Sequence, residues 1–347
     1  MAVEFQAMIP QRVTLGADVG GTKTLGVLVT RDPSGAPVIL NEAKIATPQT
    51  ATELVDTLVL LVETLMGCRP APGQPVTIDG VAAQLDGIGL GLPGYIGLDG
   101  IARQAPNLKY IIGHDVGAAV AERLGVPVRV DNDANCGAWA AHQCDEPAAD
   151  SLVMVTLGTG IGGGMILGGQ LVRGANGFAS EFGHMVIDPD GPRCVCGQSG
   201  CWELSASGNA FGRLVKEALA SGRVHPLSAS EAALAPGEAV LNRLSTEVPD
   251  DQRAAVLEVL DDYCAAVALG VANLVNLCDP EVVSLSGGIV AAGQPLLDGL
   301  DRALRVHATV FQGRSPRLRI FSGGASAGAL GAALLAESLS GTGHGAS

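Results

Sequence analysis

Two stretches far apart in the chain share one layout, and that repetition constrains the fold more than any other feature. Val13 to Thr30 (VTLGADVGGTKTLGVLVT) and Leu152 to Gly169 (LVMVTLGTGIGGGMILGG) each read as strand, glycine-rich turn and returning strand. A duplicated hairpin predicts two related α/β domains, each presenting a glycine turn to a shared cleft. Glycine tolerates positive φ and lets backbone N–H groups approach an anion, so two such turns suit one polyphosphate held from both sides. The 347 residues suffice for two domains.

The segments between and after the hairpins fit the same plan. Val81 to Leu90 reads as a strand running into Gly91-Leu92-Pro93-Gly94, and Pro127 to Val130 as a short strand running into Asp131-Asn132-Asp133-Ala134-Asn135. Ala134 to His142 reads as helical, which makes a strand-to-helix corner of the kind that presents side chains to ligands. From Asp251, Val256, Leu260, Tyr263, Val267, Val271 and Leu274 recur at helical spacing until Asp279-Pro280 stops the helix. Glu281 to Ser286 is then a strand ending at Gly287-Gly288. The expected division is 1–134, completed by a C-terminal helix at about 326–339, against 135–325, with 340–347 as a mobile tail.

Composition excludes several function classes. Lys and Arg number 21 against 35 Asp and Glu, a net charge of −14 with no basic patch, which argues against nucleic acid as a partner. The first dozen residues lack a basic segment followed by an apolar core, so no secretory signal is expected. The longest apolar stretch, Ala265 to Leu277, is interrupted by Asn273 and Asn276 and is too short to span a bilayer. A cytoplasmic protein without a membrane partner is expected. Of the eight cysteines, three fall within eight residues, which in a reducing compartment points to metal rather than disulfides.

Five constellations could carry chemistry. In Asp18-Val19-Gly20-Gly21-Thr22-Lys23, the turn residues Gly20, Gly21, Thr22 and Lys23 suit phosphate contacts while Asp18 approaches a Mg²⁺ shell; a tight hairpin with a polar tip is the alternative. Gly158-Thr159-Gly160 opens a run that contains GxGxxG, but Met165-Ile166-Leu167 reads as a returning strand, whereas a dinucleotide fingerprint opens a helix. Asp133 reads either as a helix cap or as the carboxylate that accepts a hydroxyl proton during phosphoryl transfer, with Asn132 beside it. His184, Cys194, Cys196 and Cys201, spaced H-x9-C-x-C-x4-C, make a complete tetrahedral Zn²⁺ set, and a full set leaves no place for water, so the zinc is structural. Glu181 and Glu203 flank that motif, read either as acceptors for adjacent sugar hydroxyls or as solvated acids.

These motifs, in this order from Asp18 to about Ala333, resemble the ROK family of sugar kinases and repressors, whose fold belongs to the actin, hexokinase and Hsp70 group of ribonuclease H-like proteins. The resemblance implies a two-domain α/β fold with an interdomain cleft. It makes Asp133 the catalytic base, the two glycine turns the phosphate hairpins, and Gly287 with Gly288 the adenosine-side turn. Asn107, Asn132, Glu181, His184 and Glu203 fall where the family's sugar ligands lie, so His184 would meet zinc through one nitrogen and sugar through the other. The implied activity is transfer of the terminal phosphoryl group of ATP, with Mg²⁺, to a hexose, glucose first. N-acetylmannosamine, N-acetylglucosamine, fructose, mannose and allose are alternatives, and a homo-oligomer, dimer or tetramer, is expected. An actin- or Hsp70-like ATPase, or a sugar-sensing regulator without a DNA-binding domain, are the rival classes; only about a dozen residues precede the first strand, too few for a helix-turn-helix domain. Ser286 departs from the family where a third glycine is common.

Overall fold

β1 (Gln11–Val19), β2 (Lys23–Arg31) and β3 (Pro37–Ala46) form an antiparallel meander. The computed structural model describes residues 10–307 and 315–339, so the tail expected to be mobile lies outside the described residues. α1 (Ala51–Met66) begins at a reciprocal cap: the Thr50 hydroxyl accepts from the Glu53 N–H at 3.3 Å and donates to the Glu53 carboxylate at 2.8 Å. Gly67, at φ 73°, ends it. The helix buries Leu54, Leu58, Leu61 and Leu65 as one face.

β4 (Val76–Ile78) and β5 (Val81–Leu92) follow, then the short ribbon of β6 (Tyr95–Ile96) and β7 (Ala102–Gln104), α2 (Val116–Leu124), β8 (Val128–Asn132) and α3 (Asp133–Asp145). The sheet order is β3-β2-β1-β5-β4, with β8 parallel to the later residues of β5 and β1 parallel to β5 on its other edge.

The second sheet repeats this plan. β9 (Ser151–Leu157), β10 (Ile161–Leu167) and β11 (Gln170–Leu171) are its antiparallel meander. Around it the chain adds α4 (Glu203–Ala206), α5 (Gly208–Ala220), α6 (Pro236–Asn242) and the 29-residue α7 (Asp250–Cys278). Asp279 takes the left-handed conformation at φ 43° just before Pro280, so the helix stops where the sequence predicts. β12 (Val282–Ser286), α8 (Gln294–His307) and β13 (Arg317–Ile320) complete the order β11-β10-β9-β12-β13, with β12 parallel to β9.

α9 (Ala327–Ala336) returns the chain to the first sheet, and all ten of its residues are buried. It lies on the strands because both partners lack bulk. A Cβ on Gly16 of β1 would overlap the carbonyl of Ala329, and one on Gly89 of β5 the carbonyl of Ala332. The chain separates into two compact units: residues up to Pro147, with Arg173–Ala179 and the chain from Ala325, and Ala148–Val172 with Ser180–Gly324. Each has its own apolar core. No helix among the described residues is long and apolar enough to cross a membrane.

Candidate active site

In the first unit the turn between β1 and β2 is held from below by a residue that sequence reasoning missed. Thr47 donates its N–H to the Thr22 carbonyl at 3.0 Å and its hydroxyl to the Gly20 carbonyl at 2.8 Å, while Gly20 N–H bonds the Lys23 carbonyl at 3.0 Å. Neither Gly20 nor Gly21 is left-handed, so positive φ is not why glycine stands there. Close approach is the reason at Gly21, where a Cβ would lie 3.3 Å from the Cβ of Asn107. Asp18, at the end of β1, abuts the first turn of α9: a Cβ on Gly328 would lie 2.8 Å from its carboxylate.

At the corner between β8 and α3 the helix cap is Asn132, not Asp133. Its side-chain oxygen accepts from the N–H groups of Ala134 at 2.9 Å and Asn135 at 3.0 Å, and its amide donates to the Gly94 carbonyl at 3.0 Å. Asp133 is the first helical residue, accepting from Ala134 N–H at 2.8 Å. Behind them, buried Asp131 accepts from Asn132 N–H at 2.9 Å, Asn135 Nδ2 at 3.0 Å and Arg173 Nε at 2.7 Å. Asp131 and Arg173 carried no signal in the sequence, because a pair 42 residues apart is joined only by the fold.

Asp18 and Asp133 are both carboxylates whose charged form is disfavoured. Burial, and then the charge of Asp133, push Asp18 up to about 7. Burial pushes Asp133 up to about 6, against the pull of the Ala134 N–H. A carboxylate near 6 is ionised at neutral pH yet basic enough to accept a proton from an alcohol. A divalent cation beside Asp18 would relieve the repulsion, so the pair suits Mg²⁺ brought in with a nucleotide.

In the second unit, Gly158 N–H bonds the Gly160 carbonyl at 3.1 Å, and the Gly158 carbonyl accepts from Gly208 N–H, at the start of α5, at 2.7 Å. Thr159 is exposed at the tip. Again neither glycine is left-handed; a Cβ on Gly160 would lie 2.7 Å from Glu203 Oε2. Glu203 Oε1 points the other way, 3.4 Å from Cys194 Sγ and 3.6 Å from His184 Nδ1. Glu181 leads into the turn Phe182–His184, which rests on β10 where a Cβ on Gly183 would overlap the Ile161 carbonyl.

His184, Cys194, Cys196 and Cys201 converge, their ligand atoms all within 4.8 Å of one another. His184 Nδ1 is 3.8 Å from Cys194 Sγ, and the sulfurs of Cys196 and Cys201 are 3.5 Å apart. Zn–S bonds of about 2.3 Å in a tetrahedron separate neighbouring sulfurs by about 3.8 Å, so the cluster fits Zn²⁺. Nδ1 faces the cluster, which leaves Nε2 as the other nitrogen. Gly197 and Gly200 are left-handed, at φ 100° and 69°, and Gly191 packs against Gly200. Trp202 anchors the loop: fully buried, it donates Nε1–H to the Ala266 carbonyl of α7 at 3.0 Å, over the space that Gly270 leaves open.

Gly287, at φ 94°, turns the chain after β12 where a Cβ would overlap the Leu157 carbonyl. Ser286 sits in ordinary parallel register opposite Thr156. Gly288 lines a cavity of about 680 Å³ with Asn209, Phe211, Lys216, Pro236 and Leu241. That volume suits a nucleoside. None of those five residues was singled out from the sequence, and Pro236 at the first position of α6 is the lone local signal.

The ROK family profile matches residues 14–338. The glucokinase of Streptomyces coelicolor is 32% identical over 299 residues, covering 84% of this chain and 87% of the relative. The xylose repressor of Bacillus subtilis is 31% identical over 252 residues, 71% of this chain but 60% of the repressor. Among solved structures, the ROK family glucokinase from Streptomyces griseus, in complex with glucose and AMPPNP, has a TM-score of 0.73 and 30% identity, covering 94% of this chain and 99% of that one.

Proposed function

The chain belongs to the ROK family, and we propose that it is an ATP-dependent hexose kinase converting glucose to glucose 6-phosphate, with Asp133 as general base. The observation that carries this reading is the state of Asp133: half-buried, held near 6, and placed on the rigid first turn of α3 by Asn132 and Asp131. In the proposed step Asp133 takes the proton of the C6 hydroxyl, O6 bonds to the γ-phosphorus, and the bond to the β,γ-bridging oxygen breaks to release ADP. Asn107, Asn132, Glu181, His184 and Glu203 are the residues proposed to orient the sugar hydroxyls. Backbone N–H groups at Gly20–Lys23 and Gly158–Gly160 take the phosphates, with Asp18 toward Mg²⁺, which neutralises the transferring group when bound.

Zn²⁺ on His184, Cys194, Cys196 and Cys201 is structural in this reading and fixes the segments that carry Glu181 and Glu203. The cavity beside Gly288 favours a nucleoside-bearing donor over inorganic polyphosphate. The relatives called glucokinase support glucose over other hexoses. The repressor relative marks the rival, a sugar sensor without turnover. A coupled assay with glucose, mannose, fructose, allose, N-acetylglucosamine and N-acetylmannosamine, each with ATP and with polyphosphate, tests the proposal. The highest kcat/KM is expected for glucose with ATP; sugar binding without turnover on any pair would establish the sensor instead.

A further inference from the structure

Behind the corner, and wholly within the first unit, lies a second cavity of about 560 Å³ lined by none of the residues proposed above to touch sugar or nucleotide. Its walls include Gly97, Gly117, Val130, Arg129 and Arg173. β8, which pairs with β5 alone among the described strands, contributes Val128 and Asp131 to the same wall.

Three acids also line it, but each is already engaged. Asp99 pairs with Arg103 at 2.5 Å, Asp115 caps α2 by accepting from Ala118 N–H at 2.8 Å, and Asp131 is taken by Arg173 Nε, Asn135 and the Asn132 N–H. The two cations keep donors that these acids do not take, although Arg173 is itself paired to Asp131 through Nε. Arg129 has no carboxylate within ion-pair distance among the described residues; Nη1 donates to the Ser338 hydroxyl at 2.9 Å. Arg173 Nη2 is buried without a partner. Burial, and then the neighbouring charge of Arg173, pull the Arg129 guanidinium below its ordinary range, and the nearby charge of Asp131, already taken by Arg173, opposes this only in part.

We propose that this cavity binds a small oxyanion, a phosphate or carboxylate group bridging Arg129 and Arg173. Paired guanidinium forks match such groups and supply directed donors that a lysine lacks. Arg173 ties the site to the corner, since the same side chain holds Asp131. The proposal does not depend on the kinase reading.

Isothermal titration of the full chain with inorganic phosphate, glucose 6-phosphate and citrate, at ionic strength fixed with chloride, tests it against Arg129→Gln and Arg129→Lys. Saturable binding is expected in the unsubstituted chain, at least tenfold weaker in Arg129→Gln and intermediate in Arg129→Lys, with the tightest of the three ligands naming the source of the oxyanion. Equal affinity in Arg129→Gln would place the anion elsewhere and overturn the proposal, as would the absence of any saturable site into the tens of millimolar. A second measurement needs no variant: phosphate should slow phenylglyoxal modification of Arg129, read by mass spectrometry, and no slowing would also overturn it.

Discussion

The charge of Asp133, at the start of α3, adds to burial in raising the proton affinity of Asp18 at the end of β1. Neither has a guanidinium or ammonium within ion-pair distance among the described residues. Replacing Asp133 by Asn keeps the Ala134 N–H bond through the amide oxygen and removes only the base. The expected result is a kcat loss of about 10²–10⁴-fold, with hexose Kd changed less than about threefold. Steady-state kinetics with equilibrium sugar binding checks this; a kcat within tenfold of normal would remove Asp133 from the base role.

The pH dependence has a definite sign. A general base works deprotonated, and Asp133 is pushed up to about 6. At saturating MgATP, kcat/KM for hexose should therefore fall as pH drops through about 6, approaching tenfold per pH unit well below it. An acid limb near 4, the ordinary carboxylate range, would mean that the environment of Asp133 in the working enzyme differs from the one described.

Stability carries the opposite trend. The folded value for Asp18, about 7, lies above its ordinary 3.8, so this group favours the folded state below about pH 4 and withdraws that support as pH rises through 7. Asp18→Asn has no such withdrawal. Its melting temperature relative to the unsubstituted chain should climb by a few degrees between pH 4 and pH 8, measured without Mg²⁺ or nucleotide. A difference independent of pH would contradict the assignment.

What could be read from the sequence, and what could not, follows from how local each feature is. The two hairpins were legible because glycine runs interrupt β-branched runs within single stretches, and the duplicated sheet order bears this out. The Cys and His cluster was legible because four ligands at short spacing leave few alternatives, and the fold brings all four together. The cap at the corner was not, since Asn132 and Asp133 are both good cap residues and only the backbone separates them: Asn132 is extended, at φ −67° and ψ 142°, and Asp133 already helical. Thr47, Arg173 and the walls of the Gly288 cavity act across tens of residues, and no local pattern marks them. Of the two reasons given for the turn glycines, positive φ does not apply at Gly20, Gly21, Gly158 or Gly160; a side chain at Gly21 would instead crowd Asn107 and one at Gly160 would crowd Glu203.

The zinc reading makes its own prediction. Metal analysis should find one Zn²⁺ per chain, and Cys201→Ser should lose it. Because Glu203 Oε1 lies 3.4 Å from Cys194 Sγ, loss of the ion should disturb the carboxylate and raise the hexose KM by about tenfold or more. The ATP KM should move less. Full sugar affinity in a zinc-free chain would separate the cluster from the sugar site.

Arg243 offers the sharpest test of the proposed nucleoside role of the cavity beside Gly288. It follows α6, whose residues Pro236, Leu241 and Asn242 line that cavity, and its side chain is 3% exposed. Nε and Nη2 reach the two oxygens of Glu231 at 2.7 and 3.0 Å, while Nη1 and Nη2 take the carbonyls of His225 and Pro226 at 3.0 Å each. The guanidinium holds Glu231 down at about 2. One side chain thus ties the segment from His225 to Glu231 to the wall formed by α6. Arg243→Ala removes these four hydrogen bonds, leaving Glu231 with the Ser228 N–H and hydroxyl at 2.8 Å each, and should cost about 1–3 kcal/mol of stability, read by urea unfolding. In the chain that remains folded the cavity wall loosens, so the ATP KM should rise by about tenfold while the hexose KM holds. Arg243→Lys, which keeps charge but not the fork, should recover part of the stability and little of the ATP affinity. Equal shifts in both KM values would mean that Arg243 supports the unit as a whole rather than the cavity beside Gly288.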